Sequence, residues 1–258
     1  MMRRSAKVSV SLRHEYSPTV ATIEPVMSAR QVPLSTRLPH GSVDAWVLND
    51  GVAAVRIGPA RNTAEPRAAC MREVLLAASS CLLVPLFSNP VPMVSCNLPA
   101  ESWFERDAMG LLCDVAELLG AQRSRLKFEV PYTFLSRTAS VVPEILASAG
   151  FDSVPLWIQL DRQTPPLIGE LLRFQPALII APDDLADGLR NSAAAREDLL
   201  YFHGLAAAVG CPLLVPMVDG AEQMDCIARM GGNLVAGAWP SSALNAQRTA
   251  VDGKRRLH

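Results

Sequence analysis

This sequence of 258 residues lacks most features that would identify a function directly. No GxSxG, HExxH, GxxxxGK or GxGxxG motif occurs, and the four histidines are too scattered to suggest a metal site. No apolar run approaches the ~20 residues of a membrane-spanning helix. The N-terminus also lacks the continuous apolar core of a signal peptide. These absences argue against the common motif-bearing enzymes and predict a protein that makes no membrane contact.

An excess of charge of either sign is also missing. The chain has 24 basic and 25 acidic side chains, which give a net charge of −1, so no overall field attracts nucleic acid or an anionic membrane. The short basic runs at residues 3–4 and 254–256 are predicted to be solvated termini. We therefore expect neither nucleic acid nor a membrane among the partners.

Paired cysteines are absent as well, because the six cysteines lie far apart and form no CxxC motif. Most have apolar neighbours in the sequence. This pattern predicts reduced thiols, as in a cytoplasmic protein, rather than a disulfide framework.

What the chain does have is a 50% hydrophobic composition, enough for a sizeable core, with short apolar strands alternating with longer amphipathic segments. Strands are predicted over 92–98, 125–130, 154–160, 177–181, 213–218 and 233–239. Helices are predicted over 43–58, 68–79, 101–120, 141–150, 166–174, 194–210 and 221–231. Apolar strands separated by helices indicate parallel strands covered by helices. We therefore predict an α/β fold with one barrel-like domain of six or seven strands, with residues 17–42 contributing the first strand and an irregular loop.

Seven segments, in order, resemble those of the EAL domain, a TIM-barrel-like (βα)8 family that hydrolyses cyclic di-GMP with metal ions at the strand ends. YSPTV is similar to YQPIV, VDAWVL to the LDRWVL helix, VSCNLPAESWF to the NLS strand and RLKFEV to the LEIT strand. Two further segments stand where the family has known motifs: the segment GFDSVPLWIQLDRQ stands at the place of IALDDFG, and the segment FQPALIIAPD stands at the place of LPVDYLKID. Residues 213–240 follow the family's last segment, which runs from its EGVE motif to its QG motif. The resemblance implies an N-terminal extension at 1–15, a degenerate EAL-like domain at 16–243 and a basic tail at 244–258.

The resemblance also implies that many metal-binding positions have changed. The glutamate of the EAL triplet corresponds to Pro33 if Arg37 matches the family's EALxR arginine, and the second aspartate of DDFG corresponds to Arg162. The lysine of KID corresponds to Ile180 or Ala181, the first glutamate of EGVE to Pro216 and the glutamine of QG to Ala236.

Four positions of the family's metal and ligand site keep a polar group: Asn97, Glu129, Asp161 and Asp219. They could hold Mg²⁺, Mn²⁺ or Ca²⁺ weakly. However, Arg162 beside Asp161 would repel a second dication and compete for the carboxylate. We therefore expect a pseudo-enzyme with no catalytic residues, no bound metal and no cofactor. Simpler structural roles are also open: Glu129 could form a buried ion pair, for instance with Arg162, and Asn97 could cap the following turn.

Three functions are compatible with these residues. The first is a catalytically inactive regulatory module that binds an unidentified protein in bacterial signalling of the motility or biofilm type, with its oligomeric state open. The second is a non-hydrolysing cyclic di-GMP receptor with Arg37 as a ligand contact, although RQTPPL replaces the family's flexible loop. The third is an unrelated barrel enzyme that uses Glu129, Asp161 and Asp219, since barrel enzymes place their catalytic groups at strand ends. Asp183 and Asp184 could join that set, but they are more simply predicted to cap a helix.

Overall fold

A computed structural model describes residues 41–48, 51–59, 67–83, 93–151, 156–232 and 234–237. Within these ranges the strands are β1 (Gly41–Leu48), β2 (Gly51–Pro59), β3 (Val94–Asn97), β4 (Leu126–Pro131), β5 (Leu156–Gln159), β6 (Leu178–Ile180), β7 (Leu213–Val215) and β8 (Leu234–Ala236). The α-helices are α1 (Arg67–Leu83), α2 (Ala108–Leu119), α3 (Tyr132–Thr138), α4 (Val141–Ser148), α5 (Ile168–Phe174), α6 (Leu185–Gly188), α7 (Ala193–Val209) and α8 (Ala221–Arg229). Two 3₁₀ helices span Ala100–Phe104 and Gly120–Arg125.

The eight strands follow one another in chain order around a closed barrel. Strands β2 to β8 run parallel, whereas β1 is antiparallel to both of its neighbours, β2 and β8. The predicted α/β barrel is therefore confirmed, with eight strands where the sequence predicted six or seven.

The hairpin of β1 and β2 corrects the helix that was predicted over residues 43–58. Gly41 lies opposite Pro59 and Leu48 opposite Gly51 in this antiparallel pair. Valines recur through both strands, and the Asn-Asp-Gly sequence at 49–51 is typical of a tight hairpin turn. The apparent helical pattern arose because alanines fill the positions between these valines.

The single helix predicted over residues 101–120 is also wrong in part. The chain forms the 3₁₀ helix Ala100–Phe104, turns through an extended backbone at Glu105 and starts α2 at Ala108. Charged residues fill the break at 105–107, where all three positions are exposed. The later predicted strands and helices are confirmed, although β7 and β8 are shorter than expected. The short helix α3 was not predicted, and α6 is the helix expected after Asp183 and Asp184.

Strand residues alternate between the helix-covered outside of the barrel and its interior. Phe128, on the outer side of β4, makes edge-to-face contacts with Trp103 and Phe151 at ring distances of 5.8 and 5.2 Å. Full burial of a side chain of this size contributes about 1.5–3 kcal/mol. This outer layer forms the main core, while the residues pointing inward form the site described below.

Reduced thiols were predicted, and five of the cysteines, Cys81, Cys96, Cys113, Cys211 and Cys226, are unpaired in the part of the chain that the structure describes. Burial raises the pKa of the Cys96 thiol well above its usual value and that of Cys211 to about 11. These two cysteines therefore stay protonated at neutral pH. The predicted terminal segments at 1–15 and 244–258 lie outside the described residues.

No helix among the described residues is both long and apolar enough to cross a membrane.

Candidate functional site

The C-terminal ends of β2 to β8 and the loops that follow them form one face of the barrel, which we call the barrel mouth. Asn97 is the last residue of β3, and Glu129 lies inside β4 next to it in register. Asp161 follows β5 by two residues and Asp219 follows β7 by four. All four residues predicted from the sequence therefore lie on the mouth side of the strands.

An ion pair inside the barrel joins β2 to β4. The Nε of Arg56 donates to Oε2 of Glu129 at 2.8 Å, and the Oγ of Ser95 donates to Oε1 at 2.6 Å. The carboxylate is fully buried, with 0% of the side chain exposed, against 14% for Arg56. The register explains the contact, because Arg56 lies opposite Ser95 and Ser95 lies one strand from β4 on the same inward face. Each oxygen of this buried carboxylate thus has a hydrogen-bond donor.

The charge of Glu129 is set by opposing effects. Burial raises the pKa of its carboxyl group, while the Arg56 guanidinium and the Ser95 hydroxyl lower it. The carboxylate of Asp183, in the loop after β6, raises it further. Arg56 therefore offsets only part of the cost of burying a charge at this position.

Arg162 is not the partner of Glu129 that was considered from the sequence. Its Nε lies 3.2 Å from Oδ1 of Asp184, and one terminal nitrogen lies 3.4 Å from Oδ2 of Asp198. The neighbouring Asp161 instead accepts from the backbone N–H groups of Gln163 and Thr164 at 2.7 and 2.6 Å. The expected competition of Arg162 for Asp161 is therefore replaced by two separate local contacts.

The helix-capping role predicted for Asp183 and Asp184 is confirmed in position but not in hydrogen bonding. Asp184 occupies the N-cap position of α6 without a side-chain capping hydrogen bond, and its carboxylate faces Arg162. The turn-capping role considered for Asn97 is not seen either. Among the described residues, no hydrogen bond was found from the Asn97 side chain to the following turn. There, both the N–H and the hydroxyl of Ser102 bond to the carbonyl of Pro99.

The segment after β7 is shaped by its backbone. The side-chain oxygen of Gln223 accepts from the N–H groups of Asp219 and Gly220 at 2.7 and 3.0 Å, while the Asp219 side chain is exposed. Met217 adopts φ of 59°, in the left-handed region that favours glycine. Among the residues that the structure describes, no group of three or more His, Cys, Asp or Glu side chains is placed to hold a metal ion.

The other half of the barrel interior is apolar. The inward residues of β5 to β8 form one cluster, namely Trp157, Leu178, Ile180, Leu214, Leu234 and Ala236. It contains Ile180 and Ala236, where the resemblance expects a lysine and a glutamine. Pro216, at the position of the first EGVE glutamate, is also buried. These strands bring no ionisable group to the interior at those positions.

The most important residue that sequence reasoning missed is Arg56. The EAL triplet was assigned to Pro33, with Arg37 nearby, and both residues lie outside the described part of the chain. In the structure all eight strands of the closed barrel lie between Gly41 and Ala236, and the strand before β3 is β2. The strand that neighbours β3 in the barrel thus presents Arg56 to Glu129. The signal for this strand was the Asn-Asp-Gly turn between two valine-rich runs.

No protein-family model and no curated protein matches the sequence. Solved structures do match the fold. The chain is similar to the phosphodiesterase PaMucR in a cyclic di-GMP complex, at 14% identity and a TM-score of 0.64, over 76% of this chain and 88% of that one. It is also similar to the EAL domain of Mycobacterium smegmatis DcpA, at 12% identity and a TM-score of 0.63, over 76% and 88%.

A third similar structure is Klebsiella pneumoniae BlrP1 in a calcium and cyclic di-GMP complex, at 20% identity and a TM-score of 0.62. That match covers 77% of this chain but only 54% of BlrP1, so the chain spans about half of BlrP1. At these identities the similarity establishes the fold, which is that of EAL domains.

Proposed function

We propose that the protein is an EAL-type barrel that does not hydrolyse cyclic di-GMP and acts as a regulatory protein-interaction module in bacterial signalling, of the motility or biofilm kind. The observation that carries the proposal is the buried contact of Glu129 with Arg56 and Ser95. A metal-dependent hydrolase needs such a carboxylate for its cations. Here the guanidinium of Arg56 and the hydroxyl of Ser95 already donate hydrogen bonds to the carboxylate of Glu129.

Electrostatics strengthens this argument. Two unit charges 4 Å apart repel by about 4 kcal/mol at an effective dielectric constant of 20, and a dication would be repelled by Arg56 about twice as strongly. Arginine does not lose its proton at accessible pH to relieve this repulsion. A divalent ion at Glu129 would therefore have to displace the Arg56 side chain from a largely buried position.

Exposed apolar side chains supply a surface for a protein partner. Leu167, Ile168 and Leu172, on α5 and just before it, are 63, 47 and 49% exposed, and Leu200 and Tyr201 on α7 are 56 and 49% exposed. We call these five residues the α5–α7 patch. Helices α5 and α7 contact each other, and exposed apolar groups on neighbouring helices are typical of interaction sites.

Hydrolysis is tested with purified full-length protein, cyclic di-GMP and either Mg²⁺ or Mn²⁺. We expect no turnover. Turnover that disappears in Glu129→Gln, in protein with an unchanged circular dichroism spectrum, would contradict the proposal because it would make Glu129 a working ligand.

The interaction role is tested by affinity capture with two matched surface variants. Leu172→Ser alters the α5–α7 patch, whereas Leu118→Ser alters a side chain of similar exposure, 54%, on α2. We expect a partner that binds the wild type and Leu118→Ser but not Leu172→Ser. Equal capture by all three proteins would show that the patch is not the binding surface.

A non-hydrolysing cyclic di-GMP receptor is the second candidate. It is supported by the similarity to PaMucR and BlrP1, both in complexes with this nucleotide. Calorimetric titration, with and without Mg²⁺ or Ca²⁺, should then show binding that Arg37→Ala removes. The absence of heat and of thermal stabilisation would exclude this role.

A further inference from the structure

The start of α5 has no capping side chain of its own. The N-cap residue is Leu167, which follows two prolines and makes no side-chain capping hydrogen bond. Glu170 occupies the third position of the helix, from which the glutamate of a capping box reaches back to the N–H of the N-cap residue. In α5 these two groups are joined through a third residue instead.

A hydroxyl from α3 lies between them. The N–H of Leu167 donates to the Oη of Tyr132 at 3.0 Å, and this hydroxyl donates to Oε2 of Glu170 at 2.5 Å. Burial and the hydrogen bond to Glu170 raise the pKa of the Tyr132 hydroxyl, so it keeps the proton that it donates. Tyr132 is only 2% exposed, which leaves water little access to replace it. The cap of α5 therefore depends on Tyr132.

Helix α5 has little else to hold it in place. It spans seven residues, whereas isolated helices shorter than about 12–15 residues are marginal in water. Leu171 is the one buried residue of this helix. Contacts with the rest of the barrel must therefore fix both its conformation and its position.

A second contact joins the loop before α5 to α7. Arg162 lies 3.4 Å from Asp198, and the two side chains are 37 and 41% exposed. Exposed ion pairs contribute little and are screened by salt. A hydrogen bond from a buried hydroxyl to a carboxylate is stronger. Burial thus makes Tyr132 the dominant tether of α5.

We propose that Tyr132 is the positioning residue of the α5–α7 patch. By completing the cap of α5, its hydroxyl fixes the apolar side chains at the start of this helix beside those of α7, which α5 contacts. The inference rests on the proposed function for the use of this surface. It adds the residue that holds the two halves of the surface together.

Amide hydrogen exchange of the full-length protein, followed by NMR, measures the cap directly. Tyr132→Phe removes only the hydroxyl and should speed exchange from Leu167 to Leu171 roughly ten- to a hundred-fold, as expected for losing a hydrogen bond to a charged group. Exchange in α7 should stay unchanged, because the opening is local. Glu170→Gln keeps an acceptor for the hydroxyl and should retain most of the protection.

Two control variants match this change. Tyr201→Phe removes a hydroxyl from a tyrosine that is 49% exposed, and Arg162→Gln removes the exposed tether. Neither should speed exchange in α5 more than a few-fold. Unchanged exchange at Leu167 in Tyr132→Phe would overturn the proposal. Equal acceleration throughout α7 would also overturn it, because the substitution would then destabilise the whole barrel rather than one helix.

Partner capture separates this inference from the proposed function. Tyr132→Phe should lower capture of the partner that Leu172→Ser loses, although it changes no side chain of the patch. Full capture by Tyr132→Phe with loss in Leu172→Ser would reject the positioning role and leave the proposed surface intact. Equal capture by wild type and Leu172→Ser would reject the surface itself, a failure that the exchange measurement does not share.

Discussion

The two halves of the barrel interior differ in chemistry although the same fold builds both. Strands β2 to β4 contribute a buried ion pair and a hydroxyl from Arg56, Glu129 and Ser95. Strands β5 to β8 contribute an apolar cluster that includes Trp157 and Ile180. The comparison shows two ways of building one barrel interior: one half pairs its carboxylate with a guanidinium and a hydroxyl, and the other forms a cluster without an ionisable side chain.

The largest effect is expected from breaking the ion pair on one side. Arg56→Met leaves the Glu129 carboxylate buried without its guanidinium, which should lower the free energy of unfolding by about 3–5 kcal/mol at pH 7. Denaturant unfolding followed by tryptophan fluorescence measures this loss. The matched double variant Arg56→Met with Glu129→Met should recover much of it, because no charge then remains to be buried. A double variant as unstable as the single one would contradict the ion-pair account.

The loss caused by Arg56→Met should also depend on pH. Burial already raises the pKa of Glu129, and removing Arg56 removes a group that lowers it. The folded protein therefore holds this proton more tightly than the unfolded chain. Protonation of Glu129 therefore stabilises the folded state relative to the unfolded chain. This stabilisation is fully present below the ordinary carboxyl pKa of about 4.3 and is lost as the pH rises through the raised pKa of Glu129 in the folded protein. The difference between wild type and variant should thus shrink as the pH falls from 7 towards 4.5.

A core substitution in the apolar half should behave differently. Ile180 is 1% exposed, so Ile180→Ala should cost about 2–5 kcal/mol through lost burial and the cavity left behind. Ile180→Val should cost only about 0.5–1.5 kcal/mol. Neither loss should change between pH 5 and 8, since the cluster contains no ionisable group. A clear pH dependence for Ile180→Ala would show that the two halves are electrostatically coupled.

Backbone strain at the mouth gives a smaller and opposite effect. Met217 has φ of 59°, so Met217→Gly should raise the free energy of unfolding by about 1 kcal/mol, or roughly 2–4 °C in Tm. Met217→Ala is the control, because it shortens the side chain but keeps the strained backbone, and it should not stabilise. Stabilisation by alanine equal to that by glycine would place the effect in the side chain instead.

The smallest effect is expected for the second arginine. Arg162 is 37% exposed and lies 3.2 Å from Asp184 and 3.4 Å from Asp198. Exposed pairs of this kind contribute about 0–1 kcal/mol, and salt screens them. Arg162→Gln should therefore cost less than 1 kcal/mol, and less still in 0.5 M NaCl. A loss as large as that of Arg56→Met would mean that burial does not distinguish the two arginines.

The sequence predicted the second part of the barrel well, because short apolar runs such as 177–181 and 213–218, set between longer amphipathic segments, are typical of buried parallel strands. The hairpin at 41–59 was missed, since alanines interspersed with valines fit either a helix or a strand. The family resemblance pointed to Glu129 and Asn97 as strand-end residues, and the structure adds that they are neighbours in register. The partner of Glu129 could not be predicted, because Arg56 is 73 residues away and the contact depends on the register of three strands.

The reversed direction of β1 has a consequence for how this barrel can be joined to other proteins. Trp46 pairs with Ala236, so the start of β1 and the end of β8 lie on adjacent strands at the same face. A domain or tag attached directly before Gly41 or directly after Gly237 would therefore arrive beside the mouth rather than at the opposite pole. The same neighbourhood suits a circularly permuted barrel in which a short linker joins Gly237 directly to Gly41 and new ends are opened between β1 and β2.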